Sequence, residues 1–196
     1  MLVAGIGLII LGYLAGSIPT GLLLSKAFSD VDPRTEGSRN IGATNIFRTA
    51  GKKLGALTLV GDCLKGLIPV LLALWLMGSD GWVCLVALSA FAGHLFPVFL
   101  KFKGGKGVAT ALGVYLGIAP LAVLIDAVIF FGVVLKWKFV SLGSLTAAAV
   151  MPILITILTQ SKPYVIASLI IAGLICYRHY GNIQRLLAGS ENKLRL

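Results

Sequence analysis

The side chains best suited to chemistry in this 196-residue sequence gather in three polar blocks, each beside a long apolar run. The most pointed is Lys101-Phe-Lys-Gly-Gly-Lys-Gly107. Glycine has no Cβ, so Gly104, Gly105 and Gly107 let backbone N–H groups approach an anion closely, and Lys106 adds a mobile positive charge. A helix beginning at Val108 aims its unpaired N–H groups and the positive end of its dipole at the same place. The chemistry implied is phosphate binding. A nucleotide P-loop is excluded, because the Gly-x-x-x-x-Gly-Lys-Ser/Thr spacing is missing and Lys106 is followed by Gly107. The plainer role for such a turn is to anchor a helix end among lipid headgroups.

The second block runs from Glu36 to Asn45 and on to Arg48, and mixes Ser38, Arg39, Asn40, Thr44, Asn45 and Arg48 with glycines. That inventory of donors suits phosphate and hydroxyl groups. The third block, Tyr177 to Glu191, brings His179 and Asn182 onto one face if it is helical, since they are three residues apart. Its apolar members Ile183, Leu186 and Leu187 fit an amphipathic helix at the membrane surface, with Arg178 and Arg185 toward headgroups. His94 and Pro97 precede the glycine-lysine loop, and His94 is expected to support the site rather than act in it.

The elements that position these blocks are membrane helices. Hydrophobic residues make up 58% of the chain and charged ones 12%, with a mean hydropathy of +0.97, which excludes a soluble domain with a polar shell. Apolar runs fall at roughly 3–24, 54–77, 82–100, 108–119, 121–135, 139–158 and 164–177. The first lacks a basic leader and a small-residue cleavage site, so it is expected to remain as a helix. Gly16-Ser-Ile-Pro-Thr-Gly21 interrupts it with small residues and Pro19, predicting close packing or a local break. Pro120 predicts a break between the fourth and fifth runs. The expectation is therefore one all-α membrane domain over 1–196 with seven transmembrane helices.

The net charge of +10 follows from topology rather than from nucleic-acid binding, which needs a soluble basic surface. With seven spans and the N-terminus outside, the basic loops at 26–53, 101–106, 136–138 and 178–195 all lie inside, with the C-terminus cytoplasmic. Lys162 alone lies outside, and Lys65 falls within a span. All three polar blocks are then on the cytoplasmic face. Asp62, Lys65 and Asp126 fall within the runs, where a charge is costly unless paired, and Asp62 and Lys65 are spaced to neutralise each other. The three cysteines, Cys63, Cys84 and Cys176, have no metal-like spacing, so neither disulfide, metal nor cofactor is expected.

Four stretches in order, GSIPTG, EGSRNIGATNIFRTAGKK leading into GDCLKG, GHLFPVFLKFKGGKGVAT and RHYGNIQRLLAGSE, resemble the bacterial acyl-phosphate:glycerol-3-phosphate acyltransferase (PlsY) family over nearly the whole chain. The resemblance implies a seven-helix enzyme of the bacterial inner membrane. In it glycerol 3-phosphate meets a long-chain acyl phosphate in a cytoplasmic groove, giving lysophosphatidic acid and inorganic phosphate. A soluble enzyme that makes the acyl phosphate is the upstream partner it implies. Two positions depart from the pattern. Gly181 stands where the family tail usually carries Glu, and Arg39 where the family often has glycine.

The residues fit such chemistry. An acyl phosphate is already activated, so the protein has mainly to orient the hydroxyl and stabilise developing negative charge. Neither His94 nor His179 is followed five residues later by Asp, the device of thioester-dependent glycerolipid acyltransferases, and no nucleophile elbow is visible. Direct transfer without an acyl-enzyme follows. Ser38, Arg48 and Lys106 are expected to grip phosphate, Thr44 and Asn45 to shape that pocket, and Gly104, Gly105 and Gly107 to provide backbone donors. His179 with Asn182 orients the hydroxyl or the reacting carbonyl, and either His179 or the substrate phosphate takes the proton. The competing class is a small multispan transporter of an anionic solute, which needs polar groups near the midplane open to both sides.

Overall fold

The computed structural model describes residues 1–194; Arg195, counted above with the inside charges, lies outside them. Regular structure among the described residues is helical throughout. In chain order the helices are α1 (Leu2–Ser17), α2 (Thr20–Phe28), α3 (Ala43–Thr49), α4 (Lys52–Met77), α5 (Asp80–Leu95), α6 (Val108–Ile118), α7 (Pro120–Trp137), α8 (Val140–Thr159), α9 (Lys162–Arg178) and α10 (Tyr180–Leu187). A 3-10 turn, Val98–Leu100, follows α5. They fall into two compact units, Met1–Gly117 and Ile118–Leu196.

Among the described residues five helical stretches are long and apolar enough to cross a membrane: Leu2–Phe28, Lys52–Met77, Asp80–Leu100, Pro120–Trp137 and Val140–Thr159. A sixth joins them if α9 and α10, bent by 60° at their junction, count as one span. Each of the seven apolar runs is helical, but α6 differs from expectation in length. Its 11 residues rise about 16 Å, half of a ~30 Å hydrocarbon core. It ends where the sequence places a breaker, with Pro120 at the first position of α7. One face of α6 is buried against α4, where a Cβ on Gly113 would strike the Cys63 carbonyl. A helix shielded by protein need not match the lipid thickness.

In the first unit α1 packs on α5, and α4 packs against α1, α2, α3 and α5. Small residues set the α1–α5 approach: a Cβ on Gly12 would lie 2.6 Å from Ser89 Oγ, and one on Gly16 would collide with the Ala90 carbonyl. The Tyr13 hydroxyl donates to the Phe96 carbonyl at 2.8 Å, tying the C-terminal end of α5 to α1.

The expected break in the first run is present between Ser17 and Thr20. It frees the Ile18 carbonyl, which accepts from Lys65 Nζ at 2.8 Å. Asp62 Oδ1 lies 2.7 Å from the same Nζ, and the two side chains are 3% and 6% exposed. The intramembrane ion pair of α4 therefore braces the broken helix. A buried cation that satisfies a freed carbonyl and is neutralised one turn away leaves no uncompensated charge.

In the second unit α7 packs on α8 and α8 on α9, as short connections dictate. Asp126 of α7 is buried, and its Oδ1 has no hydrogen-bond partner among the described residues. Beyond α10 the chain doubles back. Leu194 N donates to the Lys138 carbonyl at 2.6 Å, and Lys193 Nζ stands 5.9 Å from the centroid of the Phe139 ring.

Candidate functional site

Within the first unit, Asn45 of α3 organises the loop that carries Ser38. Its Nδ2 donates to the carbonyls of Pro33 at 3.0 Å and Glu36 at 3.1 Å, and its Oδ1 accepts from the Ser38 N–H at 2.8 Å. That uses the amide on both sides, so Asn45 shapes the loop from beneath rather than facing outward. Gly37 is pressed onto it with φ +60, where a Cβ would meet Asn45 Oδ1. Ser38, Thr44 and Arg48 are exposed, with Thr44 in the first turn of α3 and Arg48 in its last. Nearby Asp32 is engaged by Arg34, whose Nη2 lies 2.6 Å from its Oδ2. The side-chain and backbone hydrogen bonds from Arg34 hold the Asp32 carboxyl down at about 2. Arg39 and Arg48 are also exposed.

The glycine-lysine loop of the same unit folds back over the end of α5. Gly105 N–H donates to the His94 carbonyl at 3.1 Å and Gly104 N–H to the Leu95 carbonyl at 3.2 Å. Both glycines, expected as backbone donors, have α5 carbonyls as partners here. Their N–H groups cap α5, satisfying carbonyls that a helix end leaves without partners. The missing Cβ atoms serve close packing instead: one on Gly105 would overlap the His94 ring, and one on Gly104 the His94 carbonyl. Gly107 adopts φ +84 immediately before α6. Lys106 is half-buried, and Gly107 leads directly into α6. His94 is buried beneath Gly105, its Nδ1 3.8 Å from Asp62 Oδ1, beyond hydrogen-bond range.

In the second unit, His179 sits at the junction of α9 and α10, 3% exposed. Its Nδ1 lies 2.8 Å from the Ile175 carbonyl. A carbonyl only accepts, so Nδ1 carries a proton, and when the ring is neutral the lone pair is on Nε2. Asn182 is buried one turn into α10, its N–H donating to the His179 carbonyl at 2.8 Å. Both side chains are buried at the bend.

Glu191 is the residue the sequence did not single out. Its Oε1 accepts from Asn182 Nδ2 at 2.7 Å and from the Ser141 hydroxyl at 2.9 Å, and its Oε2 from Arg185 Nε at 2.8 Å. Burial pushes its carboxyl up, but the three hydrogen bonds and the Arg185 charge together hold it below the usual 4.5. The only signal in the sequence was a carboxylate closing a basic, amide-bearing block. Its partners lie six, nine and fifty residues back, outside helical reach, and the tail reverses to meet them.

Arg39 has φ +55, in the left-handed region. The departure from glycine seen in the sequence thus falls at a position whose backbone glycine adopts freely.

The profile of the glycerol-3-phosphate acyltransferase family matches residues 6–189. The chain is 56% identical over 185 residues to the glycerol-3-phosphate acyltransferase of Geotalea daltonii, covering 94% of this chain and 95% of the relative. Among solved structures it is similar to PlsY (YgiH), an integral membrane glycerol 3-phosphate acyltransferase, in its glycerol 3-phosphate form. That match has TM-score 0.95 and 40% identity, over 98% of this chain and 96% of that one. The lysophosphatidic acid form of PlsY matches with TM-score 0.92 and 40% identity, over 97% and 95%. A family match of this extent, joined to an all-helical membrane fold that agrees with a solved member nearly end to end, places the chain in the glycerol-3-phosphate acyltransferase family.

Proposed function

We propose that this protein transfers a fatty acyl group from an acyl phosphate to glycerol 3-phosphate, giving lysophosphatidic acid and inorganic phosphate, with the whole chain serving as one acyltransferase domain. The observation that carries the reading is its likeness to PlsY structures whose two forms hold glycerol 3-phosphate and lysophosphatidic acid, the acceptor and product of one acyl transfer. The donor follows from chemistry. An acyl phosphate needs no covalent relay, and the chain offers cations, amides and one well-oriented imidazole rather than a nucleophile–base pair.

In this scheme the acceptor hydroxyl oxygen attacks the acyl carbon, the bond from that carbon to the phosphate oxygen breaks, and phosphate leaves with the electron pair. The hydroxyl proton passes to His179 Nε2, the ring atom left with a lone pair by the bond from Nδ1 to Ile175. Asn182 orients the hydroxyl or the carbonyl. Ser38, Arg48 and Lys106 grip phosphate, Thr44 and Asn45 shape that pocket, and Gly107 with the start of α6 adds backbone donors. Gly104 and Gly105 contribute by letting the loop lie flat on α5. The chain spans the bacterial inner membrane seven times with its N-terminus outside, which puts these residues on the cytoplasmic face, within reach of a soluble enzyme that supplies the acyl phosphate.

The test is a purified sample given hexadecanoyl phosphate and glycerol 3-phosphate. Equal release of lysophosphatidic acid and phosphate is expected, and Lys106→Ala is expected to raise the KM for a phosphate-bearing substrate by about tenfold or more, the loss of one charge-assisted contact. Uptake of glycerol 3-phosphate into sealed vesicles without chemistry would instead support a transporter.

A further inference from the structure

The break between α1 and α2 has no part in the acyl-transfer scheme, yet it lies against both polar blocks of the first unit. On one side Gly21, the second residue of α2, is pressed onto the carbonyl of Ile41, where a Cβ would collide. Ile41 is buried and belongs to the loop that carries Ser38 toward α3. On the other side the end of α1 holds the turn that leads out of α5 into the glycine-lysine loop. The Tyr13 hydroxyl donates to the Phe96 carbonyl at 2.8 Å, and Ser17 Oγ accepts a long bond from the Val98 N–H at 3.4 Å.

The ion pair inside α4 locks this joint. Lys65 Nζ donates to the Ile18 carbonyl at 2.8 Å and stands 2.7 Å from Asp62 Oδ1. The same carboxylate oxygen faces His94, 3.8 Å from its Nδ1, and the His94 ring is the floor on which Gly105 lies. Lys106 is the next residue. Beside Lys65, Gly66 is pressed onto the Thr110 carbonyl in the first turn of α6, so this stretch of α4 meets the helices at both ends of the loop. Contacts therefore run from Ile18 through Lys65, Asp62 and His94 to the phosphate loop, and those three side chains are all buried. An apolar pair of similar volume packs helices equally well without the cost of burying two charges, but it has no donor for a carbonyl freed by a break.

We infer that the break between α1 and α2 is a positioning joint for phosphate binding, locked by Lys65 and Asp62. By holding the Ile18 carbonyl and backing His94, the pair keeps Lys106 and the block at 36–48 at the spacing that lets both grip phosphate. The inference rests on the phosphate-binding role given to Lys106 in the acyl-transfer reading, and deepens it by assigning the intramembrane pair. Asp62 and Lys65 act through Lys106 and touch no substrate.

Removing one partner strands a buried charge, so the test variant is the neutral pair Asp62→Asn with Lys65→Met, its folding checked by the thermal midpoint in detergent. Calorimetric titration of the full-length protein with glycerol 3-phosphate is expected to show a Kd raised about tenfold, the loss of one charge-assisted contact. The KM for glycerol 3-phosphate rises in step, and kcat changes less. Placed in the Lys106→Ala protein, the neutral pair adds no more than about twofold, because both changes remove the same grip. A milder variant, Tyr13→Phe, loosens the joint from the side of α1 and is expected to raise the Kd about threefold, the worth of one neutral hydrogen bond. An unchanged Kd in the folded neutral pair, with only a smaller active fraction, assigns the pair to stability and overturns the proposal. A full tenfold multiplication in the Lys106→Ala background overturns it too. Should the neutral pair not fold, Tyr13→Phe decides, and an unchanged Kd there overturns the joint. Wild-type protein that binds glycerol 3-phosphate without turnover removes the acyl-transfer reading and leaves the Kd comparison to decide the joint alone.

Discussion

Arg39 and His179 show how a single backbone or ring orientation carries the argument at the residue scale. At φ +55 Arg39 occupies a region that costs an L-residue roughly 1–2 kcal/mol. Glycine enters it freely but loses about 0.5–1 kcal/mol through its more flexible unfolded chain. Arg39→Gly is therefore expected to stabilise the protein by about 0.5–1 kcal/mol, read as a higher thermal midpoint in detergent; a lower midpoint would show that the arginine side chain makes contacts worth more than the strain. For His179, the bond from Nδ1 to the Ile175 carbonyl fixes the tautomer, leaving Nε2 to take a proton. His179→Gln should lower kcat by about 10²-fold or more, the usual contribution of a positioned base. Near-normal turnover would hand the proton to the dianionic phosphate of the substrate. The pairing of His179 with Asn182 was legible because helical spacing is local. Glu191 was not, because its contacts depend on a chain reversal that no periodicity announces.

The C-terminal tail acts as a strap at the scale of elements. Glu191 joins Ser141 of α8 to Asn182 and Arg185 of α10, so one carboxylate fixes the helix on which Asn182 rides. Because its folded pKa lies below the usual 4.5, the folded state binds fewer protons than the unfolded chain as pH falls through that range. The stabilisation is then fully present above the ordinary carboxylate value and is lost as pH drops through the lowered one. Glu191→Gln is expected to cost about 1–3 kcal/mol at neutral pH, the worth of hydrogen bonds to a charged group. Its thermal midpoint should converge on that of the wild type under acid conditions, whereas a gap independent of pH would assign the effect to packing. A similar folding-back decides what Gly104 and Gly105 touch. Composition correctly pointed to Gly104 and Gly105 as positions where backbone must come close, but close to what depends on where the loop lands. It lands on the last carbonyls of α5, which need donors as much as a phosphate does.

For the whole molecule, the membrane class was legible from composition alone, and the breaks at Pro19 and Pro120 from proline chemistry. What hydropathy leaves open is whether α6 crosses, and the entire orientation turns on that one helix. At 11 residues α6 is about half a bilayer long. If it crosses, with Gly107 and the lysine loop at one end and Ala119–Pro120 at the other, Lys136 returns to the same side as Lys53 and Lys162 lies opposite. If it does not, parity reverses from α7 onward, and Lys136 and the basic block at 178–195 move to the side opposite the loops at 26–53 and 101–106, against the preference of Lys and Arg for the inside. We expect α6 to complete a crossing, because its inward face is buried in protein rather than lipid and its neighbours supply the missing thickness. With Cys63, Cys84 and Cys176 replaced by Ser, single cysteines introduced at Lys53, Lys136 and Lys162 are treated with an impermeant maleimide in intact cells. Labelling at position 162, with protection at 53 and 136 until the membrane is opened, is the expected pattern. Labelling at 136 with protection at 162 would mean six crossings and would place His179 and Asn182 on the outer side, where a cytoplasmic acyl phosphate does not reach them.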